Sequence, residues 1–342
     1  MTTKEVKKDN LQLKGNKKKK SSADIKDYTP YLTTTEKQVQ KIRSKIEELK
    51  QSVPSFWEEP NCKINNIPVA GGTIRVLHLK PVNPISIRPI VFLSGWSSMP
   101  RLFNEFYEML HDRIEFYFVE TREKITSNIK RRKADMSLSQ KAKDVQAVIN
   151  YFELNKQDFA LFGSCWGAAV VFQGLLDGTL KAPQYVTFSP MHKLWFNKVI
   201  LKGLAPLLPA FVITILMKIL PFFMFLGMKA KKQKKRILET FNDAVAWKWK
   251  KAAIAAADFE LFGKLSKIEE EVLVIAGTHD RVHDAKNYPR FTNELQNSRF
   301  LFFGIDETER EYTLGLILNE LSKISSKEYI PKFFKEYEKK IE

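Results

Sequence analysis

The chain reads as an α/β fold, a mainly parallel sheet with helices on both faces, and three observations predict it. Short continuous apolar runs alternate with amphipathic stretches from about residue 60 onward, the pattern of strands that crossover helices cover on both sides. At 342 residues, with 44% apolar and 28% charged residues, the chain can bury a full core. The alternation is interrupted once, between residues 190 and 271, by an apolar stretch that fits an insertion rather than a further strand.

The elements follow in order. Residues 1–34 are lysine-rich and poor in apolar side chains, a composition that cannot offset chain entropy by burial, and a disordered tail is expected. Its first twenty residues hold eight lysines against Glu5 and Asp9. Over 35–53, Val39, Ile42, Ile46 and Leu49 recur at helical spacing after capping threonines and before Pro54, which predicts an amphipathic helix docked on the body. Strands are predicted at "TIRVLHLK" (73–80), "PIVFLSG" (89–95), "IEFYFVE" (114–120), "DFALFG" (158–163), "QYVTFSP" (184–190), "EVLVIAG" (271–277) and "SRFLFFG" (298–304). Helices fall between them at "RLFNEFYEMLHDR", "SQKAKDVQAVINYFEL", "GAAVVFQGLLDG" and "NYPRFTNELQ", and a lysine- and glutamate-rich helix is expected to close the chain. No internal repeat is visible.

The interruption contains "GLAPLLPAFVITILMKILPFFMFLGM" (203–228), whose one charge is Lys218, and then "KAKKQKKR" (229–236). Its length admits a membrane span. Against that, Lys218 stands near the middle, Pro206, Pro209 and Pro221 divide it, and basic residues flank both ends. The expected reading is an apolar cap over a cleft, over 191–269, that rests on a membrane surface; an anchor through 203–228 is the alternative.

Composition also bounds the setting. Two cysteines, Cys62 and Cys165, make neither a disulfide framework nor a metal knuckle, and the N-terminus offers no apolar secretory stretch. A cytoplasmic protein without metal or cofactor is expected. The net charge of +17 suggests an anionic partner. The lysines lie in tail and cap rather than in an aromatic-interleaved stripe, which favours a membrane surface over nucleic acid.

The chemistry concentrates in "LFGSCWGAAVV" (161–171), where an apolar run turns into a helix around one thiol. A side chain at the tip of such a turn stands above the sheet with the first helix N–H groups beside it, and Gly163 and Gly167 are required where a Cβ would collide with the neighbouring strand and helix. A helix N-terminus also favours the thiolate of Cys165. The alternative is a small apolar filler.

Gly163-Ser164-Cys165-Trp166-Gly167 resembles the nucleophile elbow of the α/β-hydrolase superfamily, with cysteine in place of serine as in dienelactone hydrolases and polyhydroxyalkanoate synthases. "VFLSGWSSMPRLFNEF" (91–106) is similar to the segment after that family's third strand, and "VLVIAGTHDRV" (272–282) to its seventh strand and acid loop. The resemblance spans about residues 60–325. It implies an eight-stranded type of sheet formed by 54–190 and 270–342, with the cap after strand six. It further implies Cys165 as nucleophile, Asp280 as the acid, and the backbone N–H groups of Trp96 and Trp166 as the oxyanion hole.

One departure stands out. The family's histidine should fall in "FLFFGIDETEREY" (300–312), yet no histidine follows position 283, and this loop offers Asp306, Glu307 and Glu309. A carboxylate is too weak a base for a thiol near neutrality. Three readings stand: His279 or His283, beside Asp280, supplies the imidazole; a helix-stabilised thiolate needs no strong base; or the site binds an acyl or lipid ligand without turnover. The expected function is a hydrolase or acyl transferase for a hydrophobic ester or thioester, with a catalytically degenerate lipid- or acyl-binding protein as the alternative.

Overall fold

The computed structural model describes residues 27–53, 61–194, 196–225, 231–279 and 285–341. The lysine-rich expectation for 1–26 therefore lies outside the described residues. Residues 27–34, read from sequence as the end of that tail, instead form a 3-10 turn at Thr29–Tyr31 with Tyr28 buried.

Eight strands make the sheet: β1 (Cys62–Val69), β2 (Gly72–Leu79), β3 (Ile90–Leu93), β4 (Phe116–Val119), β5 (Ala160–Ser164), β6 (Gln184–Phe188), β7 (Val272–His279) and β8 (Ser298–Asp306). Their spatial order is β1-β2-β4-β3-β5-β6-β7-β8. The first hairpin and the β2–β4 pair are antiparallel, and every pair from β4 to β8 is parallel. Two-residue pieces add to it, Asn128–Ile129 against the start of β2 and Glu338–Lys339 at the edge beyond β8. The parallel strands β3, β5 and β6 are buried residue by residue, which explains their uninterrupted apolar runs.

Each face of the sheet has its own core. On one side lie α1 (Glu36–Leu49), α2 (Asn104–Leu110) and α9 (Arg310–Ser322). On the other lie α3 (Leu138–Tyr151), α4 (Trp166–Leu176) and α8 (Asn287–Glu294). Helix α1 begins with a capping box between Thr35 and Gln38 and buries the four residues its periodicity singles out, Val39, Ile42, Ile46 and Leu49. The bidentate pair from Arg43 to Glu309, at 2.9 and 3.0 Å, ties it to the turn before α9.

Between β6 and β7 the chain leaves the sheet. It makes a π-type turn at Ile200–Leu204, a 3-10 turn at Ala205–Leu207, and then α5 (Ala210–Phe225), α6 (Lys231–Asn242) and α7 (Ala246–Ala255). Pro221 lies inside α5. Among the described residues no helix is long and apolar enough to cross a membrane.

Two elements differ from expectation. The closing helix α9 is an apolar one, buried on nearly all sides, while the lysine- and glutamate-rich segment after it forms a 3-10 run at Lys332–Tyr337. Phe334 and Tyr337 pack on Phe303, each with ring centroids 5.1 Å apart, so aromatic burial holds that segment where helical propensity does not.

Helix α1 is part of the core rather than an appendage. Ile42 is fully buried, and Ile42→Ala is expected to cost about 2–5 kcal/mol, read as a lowered unfolding midpoint in urea.

Candidate active site at the tip of the central strands

The carboxyl ends of β3, β5 and β6 stand level, with Leu93 opposite Gly163 and Ser164 opposite Phe188. Cys165 follows at the cap of α4 with φ 55° and ψ −112°. For a residue with a Cβ this conformation costs on the order of 1–3 kcal/mol, and the surroundings impose it. The Cys165 N–H donates to the Phe188 carbonyl at 2.9 Å, which anchors the bend to β6. A Cβ on Gly167 would stand 2.2 Å from the Leu93 carbonyl oxygen, and one on Gly163 2.7 Å from the Ala168 backbone. Only glycines let α4 settle this close to β3 and β5, and that approach turns Cys165 out of both elements.

The turn after β3 comes to meet the thiol. A Cβ on Gly95 would be 3.7 Å from the Cys165 Sγ. Trp96 follows Gly95, and its ring lies 4.9 Å from that of Trp166. The residues expected to furnish the oxyanion N–H groups thus flank Cys165, and the Trp166 N–H belongs to the first helical turn, where no carbonyl within the helix reaches it.

The tryptophans rest on buried charge. After β4, residues Glu120 to Lys124 are all buried. Glu123 pairs with Lys141 of α3 at 3.0 Å, and the Lys141 ammonium lies 5.2 Å and 5.6 Å from the rings of Trp96 and Trp166. Lys124 donates to the Gly95 carbonyl at 3.3 Å, and Arg122 forms a bidentate pair with Asp144 at 2.6 Å. Burial pushes the Glu123 carboxyl up, but Lys141 and Lys124 outweigh it and hold the group down to about 2. Helix α7 closes over this turn. Lys248 donates to the carbonyl of Lys124 at 2.6 Å, and the Trp249 indole meets Trp96 edge-on at 5.8 Å and donates to the Ser97 hydroxyl. Burial lowers Lys248 to about 8, with Glu123 opposing.

The loop after β8 contributes a residue that sequence reasoning passed over. Arg310, first in α9, donates to the Ser164 hydroxyl at 3.2 Å, and its guanidinium lies 5.0 Å from the Phe188 ring centroid. Glu311 joins Arg310 to Arg236 of α6, which also bonds Glu105 of α2 at 2.9 Å. A cation therefore stands one residue along the chain from Cys165, in the loop searched for a histidine. The signal was present in "ETEREY", but an arginine among carboxylates reads as a solvated helix start.

Of the remaining expected site residues, His279 alone falls within the described chain. Asp280 and His283 lie outside the described residues. His279 ends β7 with its backbone opposite Asp306. Of the other histidines, His78 bonds Glu115 at 2.9 Å, His192 bonds Glu260 at 3.1 Å, and His111 stacks edge-on with Tyr107. Among the described residues no cluster of three or more His, Cys, Asp or Glu is placed to hold a metal ion.

Comparison with solved structures places this architecture among enzymes of the α/β-hydrolase fold. An esterase from Exiguobacterium antarcticum is 18% identical with a TM-score of 0.60 over 76% of this chain and 100% of its own. A thermophilic esterase from Thermogutta terrifontis, with malate bound, is 13% identical with a TM-score of 0.60 over 80% and 99%. A hydrolase from Pseudomonas aeruginosa is 12% identical with a TM-score of 0.57 over 76% and 98%. No family model and no curated protein matches the chain. The chain has the α/β-hydrolase fold, and at these identities the likeness is one of fold.

Two outcomes follow. Gly167→Ala is expected to drive α4 off β3 and to lower the melting temperature sharply, since the contact it violates is backbone on both sides. The Glu123 carboxylate stabilises the fold above its ordinary value of 4.5 and loses that contribution as pH falls toward about 2. Glu123→Gln, which strands two buried lysines, is therefore expected to melt below wild type at pH 6, and calorimetry should find the gap narrowing across that acid window.

Proposed function

We propose that this chain is a hydrolase or acyl transferase that takes the acyl group of a hydrophobic ester or thioester onto the thiol of Cys165. The observation that carries this reading is the conformation of Cys165: held at positive φ as the N-cap of α4, directly before Trp166 and beside the turn at Gly95 that precedes Trp96. The helix N-terminus and the nearby Arg310 charge both favour the thiolate over the thiol. The Cys165 sulfur attacks the carbonyl carbon, and the oxyanion forms against the N–H groups of Trp96 and Trp166. Collapse breaks the bond to the leaving group and leaves the acyl chain on sulfur.

Arg310 shapes what this site can do. A guanidinium stays protonated and cannot take a proton, so steps that need none are favoured. A thiolate leaving group departs from a thioester unprotonated, whereas an alkoxide does not, and hydrolysis of the acyl-enzyme requires deprotonation of water. Thioesters are therefore the better acyl donors, and transfer to a second thiolate, which has no proton to lose, competes well with hydrolysis. Where a base is required, His283 or His279, oriented by Asp280, is the imidazole within reach in sequence. The insertion between β6 and β7 serves as the apolar cap, with Lys248 and Trp249 holding it over the oxyanion turn. No cofactor enters this scheme.

The presence of Arg310 in the loop after β8 also favours a second reading, a lipid- or acyl-binding protein that keeps the fold without turnover. Intact-mass measurement after incubation with acyl thioesters separates the two. Wild type is expected to gain one acyl mass, Cys165→Ala none, and Arg310→Met an adduct whose rate rises only at higher pH. Bound apolar ligand without any adduct would favour the binding reading.

A further inference from the structure

The insertion exposes an apolar face that the site does not use. Leu207, Phe211 and Phe222 are 78%, 66% and 65% exposed, and Leu204, Ile215 and Phe223 stand out beside them. On α5, Phe211, Ile215 and Phe222 recur at offsets of four and seven, which puts them on one side, while Met217 and Pro221 point inward. The face is held in shape. Lys250 of α7 donates to the carbonyls of Pro206 and Leu208 at 2.8 and 2.6 Å, fixing the turn that presents Leu207 outward. Scattered apolar residues on a surface need no explanation, but a contiguous and braced set marks an interaction surface.

Charge decides what covers it. From residue 178 to residue 238 the chain has no Asp or Glu and eleven Lys or Arg. Lys218 lies on α5 itself, and Lys231, Lys232 and Lys235 are exposed on α6. Two copies of the chain docked through this face would bring like charges together. An anionic lipid surface accepts the apolar side chains into its acyl region and the lysines among its headgroups. With 16 residues and an internal proline, α5 lies along such a surface rather than across it.

We propose that the face formed by Leu204–Leu207 and α5 docks on an anionic lipid bilayer. The docked face is then one helix away from the candidate site, because Trp249, next to Lys250 on α7, meets Trp96. This holds whatever Cys165 does chemically.

The test is flotation of the full chain with phosphatidylcholine vesicles, with and without phosphatidylserine, at low and high salt. Wild type is expected to float with phosphatidylserine vesicles and to retain part of that binding at high salt. Replacing Leu207, Phe211 and Phe222 together by Ser is expected to leave the melting temperature unchanged and to weaken binding at least about tenfold, abolishing the salt-resistant part. Replacing Lys231, Lys232 and Lys235 by Gln is expected to remove the preference for phosphatidylserine. Flotation of the triple-Ser variant equal to wild type would assign binding to the basic tail and overturn the proposal. So would a wild type that ignores vesicles yet sediments as a dimer that the triple-Ser variant dissolves.

Discussion

The approach of α4 to β3 is the constraint on which the rest of this molecule depends. Gly167 lies so close to the Leu93 carbonyl that any side chain would collide with backbone. Because the helix starts one residue earlier, the residue just before it must bend sharply, and Cys165 takes a positive-φ conformation that most residues avoid. The strain is small beside the burial of β5 and α4, every residue of which from Ala160 to Gly163 and from Trp166 to Phe172 is inaccessible or nearly so. Packing thus fixes the Cys165 thiol in a position that local preference would refuse.

Around that bend the supporting groups are mostly cations. Lys141 lies against both tryptophans, Lys124 holds the Gly95 carbonyl, Lys248 holds the loop after β4, and Arg310 holds Ser164. Buried cations are costly unless paired, and Glu123 and Glu311 supply the pairing from the interior. This paired network surrounds the bend at Cys165. It also connects the insertion to the sheet, since Lys248 and Arg236 belong to α7 and α6.

Periodicity made much of this legible beforehand. The seven strands read from apolar runs all occur, the helix over 36–49 buries the residues its spacing named, and the glycine-flanked cysteine stands at the turn it predicts. Strand β1 and helix α9 were not read, because Cys62–Val69 is half polar at a sheet edge and α9 carries no polar stripe. The buried segment Glu120 to Lys124 was equally silent. Its string of charges has the composition of a solvated loop, and pairing across the fold, with Lys141 and Asp144 from α3 and with Arg75 from β2, makes its burial possible.

The amino-acid sequence by itself determined the order of strands and helices, the turn at Cys165 and the two glycines it needs, since each rests on contacts or preferences within a few residues. Tertiary structure alone decided that Trp96 meets Trp166, that Lys141 lies against them, and that Arg310 reaches Ser164 from 146 residues away. Those contacts join side chains whose own neighbours in the chain say nothing of them. They form only when the sheet brings its carboxyl ends to one level and removes the water that would otherwise satisfy each charge separately.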